Sequence, residues 1–382
     1  MARRVLITGA RAAAALDLAR DFAAAGWEAH LADSSGARMA RLSRAPASVH
    51  RYAPPALRRA DFRRDMTALI KRIAPELVIP ICEEVFHLAA WAEESRPAAM
   101  LLAPPLTTLR MLHDKLGFAE ICAAHGLPVP ESAPYNPDQP PADPREFVFK
   151  SRFTRFGEGL LVGPTSARLE RQRQMMRQGW MTQRLVRGSE VSFYAVACEG
   201  NVLAFSAYKS DWRLPGGASF AFTPVAENLA KSLRDIAGKL AEAVALTGQF
   251  SCDAIVDEDG KPWLIECNPR ATSGVHLLTG HGDLANAIAS GERMAERPLA
   301  GCHALPVMLA YGLPMALRRG ALRAWFSTLR DGHDAIGRRG DRRPVIGALA
   351  DGLAFTLQGW RYDISAPAAS TRDIEWNGED LG

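Results

Sequence analysis

The chain has 382 residues, too many for one compact core, and this length fits two or three domains. With 48% hydrophobic and 23% charged residues it has the makeup of a folded globular protein, which excludes disordered and fibrous classes. A formal net charge of +4 is small for this length and gives no argument for nucleic-acid binding. No apolar run approaches the ~20 residues of a membrane span, and the opening MARRVLITGA reads as a buried strand rather than a signal peptide. Cys82, Cys122, Cys198, Cys252, Cys267 and Cys302 are scattered, without the close pairs of a metal or redox site, and a reducing cytoplasm suits them. The expected partners are therefore small molecules, with no nucleic acid and no membrane.

The first hundred residues alternate strand and helix. RVLITGA is followed by an Ala-rich helix at 12–25 that Gly26 ends, then strand WEAHLAD and a basic helix at 58–73. Strand ELVIPIC, a helix from Glu83 and strand AAMLLAP complete the series, and Pro104 and Pro105 close it. Strands separated by helices need crossovers, which predicts a Rossmann-like parallel sheet. One helix is expected over 106–125, then a proline-rich loop to Pro144. A strand-rich block follows: EFVFK, GLLVG, MTQRLV, EVSFYAVAC and NVLAFSAY. A long helix at 227–246 leads into two further strands. From about residue 301 the pattern is less orderly. Arg318, Arg319, Arg338, Arg339, Arg342 and Arg343 there read as a solvated face.

The segment FSCDAIVDEDGKPWLIECNPR carries the most chemistry. Asp259-Gly260 between two apolar runs is a strong hairpin signal. With those two residues as the loop, Glu258 pairs with Lys261 and Asp253 stands opposite Glu266. Asn268 then falls on the same face as Glu266, because side chains alternate with period two. Carboxylates opposed across a ladder lie about 5 Å apart at Cβ and repel. A divalent cation between them reverses the sign, and two carboxylates with an amide suit Mg²⁺ that keeps water and phosphate oxygens. The bland alternative is a polar, solvent-facing strand, but Ile255, Leu264, Cys252 and Cys267 leave neither face wholly polar. Arg270, just beyond, could grip a phosphate or carboxylate. The run from Lys150 to Gly159 reads as a strand ending in lysine with a glycine-containing tip. That form can cradle phosphates and is equally that of an ordinary hairpin turn.

Together and in this order, these segments resemble the ATP-grasp superfamily, which includes biotin carboxylase, D-alanine–D-alanine ligase and carbamoyl phosphate synthetase. The resemblance spans roughly residues 1–300. It implies an α/β and α+β chain: a Rossmann-like pre-ATP-grasp domain (1–105), a small lid subdomain (106–187), a larger subdomain with the Mg site (188–300) and a C-terminal extension (301–382), the ATP-grasp part having mostly antiparallel sheets. It implies ATP and Mg²⁺ as cofactors. Lys115, in LHDKLGFAEICAAHGLPVP, and Lys150 look like the two ATP-binding lysines, and Gly157 and Gly159 like lid glycines, with Arg155 able to meet phosphate. Gln183-Arg-Leu-Val-Arg-Gly-Ser-Glu190 looks like the adenine hinge. There Gln183 would meet the exocyclic amine, backbone at Arg184 and Val186 the ring, and Glu190 the ribose. Asp253, Glu266 and Asn268 match the Mg²⁺ ligands and Arg270 the arginine near the transferred phosphate. Gln183 stands where many members carry Glu, the lid is poor in glycine, and Ser251 holds a position that is basic in some ligases. Lys209 and Arg213, before the Gly216-Gly217 turn, are the candidates to supply that charge.

The implied activity is a carboxylate–amine ligase that activates its substrate as an acyl phosphate. Biotin-type carboxylation is an alternative, as are a Rossmann oxidoreductase built on Gly9 with Asp33 near a ribose, and a binding protein with a dead site. In the oxidoreductase reading Arg11 and Ala14 replace two fingerprint glycines. His276 is a candidate substrate contact or a structural histidine. Glu83, Glu84 and the region 208–217 are the candidate substrate contacts, Glu83 and Glu84 being equally readable as helix N-terminal carboxylates. For residues 301–382, homodimer contacts and a substrate cap are both open.

Overall fold

The computed structural model describes residues 2–153, 159–174, 176, 179–214 and 218–381. The chain builds three sheets in sequence. The first holds β1 (Arg4–Thr8), β2 (Glu28–Asp33), β3 (Ser48–Arg51), β4 (Leu77–Ile79) and β5 (Met100–Leu101), all parallel, in the order β3-β2-β1-β4-β5. β1 is central, and Val5, Leu6 and Ile7 are fully buried, as a strand covered on both faces requires. The second sheet is antiparallel, with β6 (Ser132–Pro134), β7 (Phe147–Ser151), β8 (Leu161–Val162) and β9 (Trp180–Arg184) in the order β6-β9-β7-β8.

The third and largest sheet comprises β10 (Ser189–Cys198), β11 (Asn201–Arg213), β12 (Ser219–Pro224), β13 (Gly248–Val256), β14 (Pro262–Asn268), β15 (Gly301–His303) and β16 (Gly332–Asp334). Its order is β14-β13-β10-β11-β12-β15-β16, antiparallel except for the last pair. Helix Glu227–Ala243 lays Leu233, Ile236 and Leu240 on one side of it, against Phe193, Phe205 and Phe250. On the other side Tyr194 and Val196 share a core with Val5, Ile7, Leu18 and Phe22 of the parallel unit. Asp21 fastens that seam. Its fully buried carboxylate accepts from the backbone N–H groups of Gly280, His281, Gly282 and Ala285, at 2.7–3.2 Å, and so caps helix Asp283–Ser290.

Four sequence expectations need correction. The single helix over 106–125 is two, Leu106–His113 and Lys115–Ala124. Asp114 is extended between them, and its side chain accepts from Leu116 N (3.2 Å), capping the second. The long helix stops at Ala243, because Ala245 turns left-handed (φ 45°). Strand β3 and the short helix Arg38–Arg41 were not foreseen. Finally, the region beyond 301 is ordered, with helices Leu313–Arg319, Leu322–Asp331, Pro344–Tyr362 and Ala366–Thr371. Within it Arg338 is not solvated but ion-pairs with buried Asp17 at 2.8 Å.

The C-terminal tail returns to the parallel unit. Trp376 stacks on Phe86 (4.7 Å between centroids), edge-on to Phe153. Asp373 and Asp33 both pair with Arg11 at 2.6 Å. That answers the oxidoreductase alternative physically. Asp33, the carboxylate a ribose would need, is fully buried and already held by Arg11.

Candidate functional site

One cavity of about 630 Å³ opens between the small antiparallel sheet and the face of β10, β13 and β14. Lys115, Lys150, Gln183, Arg184, Val186, Glu190, Arg213, Asp253, Glu266 and Asn268, dispersed over more than 150 residues of sequence, all line it. Arg270 follows directly and reaches Asn268 Oδ1 with Nη2 (3.2 Å). Lys209 is not among the lining residues. On β11 its neighbour Tyr208 faces the cavity, so alternation turns Lys209 outward, where it is exposed and 3.9 Å from Asp211. Gly159 has a φ of +68° beside Trp180, where a Cβ would lie 3.1 Å from the indole. Arg155, Gly157, Gly216 and Gly217 lie outside the described residues.

The hairpin sets the acidic pair by a different route from the one its turn suggested. Asp257 N donates to Lys261 O and Gly260 N to Asp257 O, so the loop has three residues, with Gly260 left-handed at φ 79°. That shift alone would move the pairing by one. A bulge between Asp253 and Ala254 restores it: Ala254 pairs with Leu264, but Asp253 pairs with Glu266 and Ser251 with Asn268. Ile265 is the residue left over. Its carbonyl accepts from Lys150 Nζ at 2.7 Å, so the irregularity that aligns the carboxylates also anchors the lysine.

Lys150, the last residue but one of β7, is 6% exposed and also donates to Gln183 Oε1 at 2.9 Å. Burial lowers its pKa to about 8, against the pull of Glu266. The Gln183 amide donates in turn to Ser132 Oγ (3.0 Å), so Gln183 spans β6 and β7 and holds the lysine. Lys115 is the first residue of its helix because Asp114 caps it, and its Nζ lies 3.7 Å from Glu266 Oε2. Asp114 also makes a close ion pair with Arg152, just past the end of β7, tying that strand to the helix.

The two carboxylates are electrostatically unequal. Burial and the neighbouring Glu266 push Asp253 up to about 7, although Ser192 Oγ donates to it at 2.5 Å. Burial works against Glu266 as well, but Lys115 and Lys150 outweigh it and hold that group below the usual range. Buried, opposed acids with an amide two residues on form a donor set that a small, hard cation would relieve. Among the described residues no group of three or more His, Cys, Asp or Glu side chains forms a metal cage. Two carboxylates and Asn268 therefore fit an ion that draws its remaining ligands from water and phosphate.

At the mouth, Glu190 and Arg213 form a close ion pair. Arg270 Nη2 stands 3.6 Å from Glu83 Oε1, linking the segment after β14 to the parallel unit. Glu84 points inward and accepts from Thr8 Oγ1 (2.7 Å), Ile81 N and Cys82 N, a structural role. His276 is structural too, buried with Nδ1 2.8 Å from Asp17 Oδ2. Sequence reasoning missed the hydroxyls of Ser192 and Thr272 on the floor. Thr272 Oγ1 lies 2.8 Å from Ser251 Oγ and 3.1 Å from the Tyr208 hydroxyl. Strand parity could have found Ser192, two residues from Glu190.

A lysine-lined, acid-floored cavity lies between two antiparallel sheets, behind a parallel unit, the arrangement of an ATP-grasp fold. Residues 112–274 match the family model described as ATP-grasp domain, so the chain carries an ATP-grasp domain there. ATP and Mg²⁺ are the cofactors typical of this family.

Solved structures share the fold. N5-carboxyaminoimidazole synthetase from Staphylococcus aureus aligns with TM-score 0.62 and 13% identity over 78% of this chain and 80% of that one. L-amino acid ligase from Bacillus licheniformis aligns with TM-score 0.59 and 15% identity, over 78% and 79%. Biotin carboxylase from Campylobacter jejuni aligns with 0.61 and 14%, over 79% and 74%. No curated protein sequence matches the chain.

Proposed function

We propose that the protein is an ATP-dependent carboxylate–amine ligase acting on small molecules. The observation that carries this reading is the opposed Asp253–Glu266 pair with Asn268, set beside Lys115 and Lys150 in one cavity. Mg·ATP, when bound, supplies an electrophilic γ-phosphorus. Asp253, Glu266 and Asn268 hold the metal. Lys150, fixed by Ile265 and Gln183, and Lys115 neutralise phosphate charge. Leu185 and Val186 backbone and the Arg184 stem line the base site, and Glu190 takes the ribose. Lys209, turned away from the cavity, has no such role.

A substrate carboxylate oxygen attacks the γ-phosphorus and ADP leaves. Arg270 and Arg213 offset the charge that spreads over the phosphoryl oxygens. An amine then attacks the acyl carbon of the mixed anhydride, inorganic phosphate leaves, and the ammonium proton passes to solvent. Closure of the small sheet over the cavity excludes water, which would otherwise hydrolyse the anhydride. The fold of the L-amino acid ligase, itself named for amino-acid ligation, supports this substrate class.

The test is release of ADP and phosphate with Mg²⁺, ATP and a panel of amino acids, with and without bicarbonate. Amino-acid-dependent release with formation of an amide supports the proposal. Strictly bicarbonate-dependent release would replace it with carboxylation. Glu266→Gln should lower turnover at least ~10³-fold while thermal unfolding stays cooperative.

A further inference from the structure

Sixteen large hydrophobic side chains are exposed among the described residues, and eleven of them fall between Leu309 and Tyr362. Five belong to helix Pro344–Tyr362: Ile346 (66% exposed), Leu349 (60%), Leu353 (61%), Leu357 (52%) and Trp360 (76%). Their spacing of three, four, four and three places them on one stripe, within a quarter of the helix circumference. The opposite side of the helix is well seated. Gly347 lies against Arg38 and Met39 so closely that a Cβ would meet backbone at 2.5 Å, and Asp351 accepts from Met39 N at 2.9 Å. Asp351 is also the only charged residue between Pro344 and Trp360, and it points inward. The outward face thus carries no charge along four turns. None of its residues lines the ATP-side cavity.

The stripe is symmetric about Leu353. Ile346 and Trp360 are equally far from it on either side, as are Leu349 and Leu357. A two-fold axis at Leu353 relates two such helices antiparallel and sets Ile346 beside the partner's Trp360 and Leu349 beside the partner's Leu357. It sets Leu353 against its own copy. Exposed Gly352, with open space where a Cβ would stand, lets the backbones approach. Antiparallel helices also bring the N-terminal end of each dipole beside the C-terminal end of the other.

We propose that this face is the contact between two copies of the chain, an isologous antiparallel helix pair centred on Leu353. The five side chains offer on the order of 600 Å² of apolar surface per chain, at the top of the range for the largest patch on a monomer and approaching the ~800 Å² per partner of a standard interface. A self-matching stripe needs no second protein to explain it.

The experiment uses the full chain. Sedimentation velocity at micromolar concentration should give twice 41.5 kDa, and Leu353→Asp should give 41.5 kDa with unchanged circular dichroism, since the side chain is already outside the core. Register is read separately by mild oxidation, with the native chain as control for its own thiols. Leu353→Cys should cross-link to itself. Ile346→Cys and Trp360→Cys chains should cross-link when mixed, at least tenfold more than either alone. A native chain that sediments at 41.5 kDa, a Leu353→Asp variant that stays paired, or cross-linking as strong in Ile346→Cys alone as in the mixture would each overturn the proposal.

Discussion

The opposed carboxylates make the sharpest prediction. In the protein without metal, Asp253→Asn should raise stability even as it removes a proposed metal ligand. Asp253 is pushed up to about 7 from an ordinary 3.8. At ~1.36 kcal/mol for each pH step, keeping its charge at neutral pH costs at most ~4 kcal/mol. Coulomb repulsion gives a second figure. Two charges about 5 Å apart at an effective dielectric of ~20 repel by roughly 3 kcal/mol. Lys115, 3.7 Å from Glu266, offsets part of that, so a net gain of about 2 kcal/mol is expected for the variant.

The sign fixes the pH window. The folded-state pKa lies above the unfolded value, so the penalty is absent below pH ~4, grows as pH rises toward 7 and stays constant above it. Denaturant unfolding of both proteins in EDTA at pH 4.5 and pH 8 measures this. The gain should appear at pH 8 and nearly vanish at pH 4.5. With Mg·ADP the order should invert, because the native pair gains binding energy that the variant lacks. A variant no more stable than the native protein at pH 8, or equally stabilised at both pH values, would refute the electrostatic reasoning.

Three further outcomes follow from the same geometry. Lys150→Met should raise the KM for ATP at least ~10-fold and remove a pH effect, since native ATP affinity should fall as pH rises through about 8 while Lys150 loses its proton. Initial rates across pH 6.5–9.5 check both. Asp114→Ala, by removing the helix cap and the Arg152 anchor, should cost about 1–2 kcal/mol of stability and raise the KM for ATP more than it lowers kcat, read by unfolding and steady-state kinetics. Asp21→Ala should cost about 2–4 kcal/mol, because four backbone amides lose their acceptor at a buried seam; hydrogen exchange at Gly280–Ala285 should rise with it.

The parallel unit was legible because each strand reads as a short apolar run between helical segments, and the acidic pair because a hairpin imposes parity on whatever it joins. The pairing of Asp253 with Glu266 is nonetheless the sum of two deviations, a longer loop and a bulge, that cancel. No sequence pattern announces either. The helix break at Asp114 is hidden because Lys115 and its neighbours have good helix propensity on both sides; a tertiary ion pair with Arg152 decides it. Lys209 was misplaced because its phase on β11 is set by the pairing of Tyr208 with Ser192 across the sheet. Beyond residue 301 the helices bury little of their apolar surface, so the periodicity that marks a core-facing helix is blurred there.

The tail that closes on Arg11 has a consequence for how the molecule comes into being. The buried guanidinium near the start of the chain has as one of its acceptors Asp373, 362 positions later. Until the segment around Asp373 and Trp376 folds back, the parallel unit therefore keeps a pair of charges half-answered and an aromatic socket around Phe86 open.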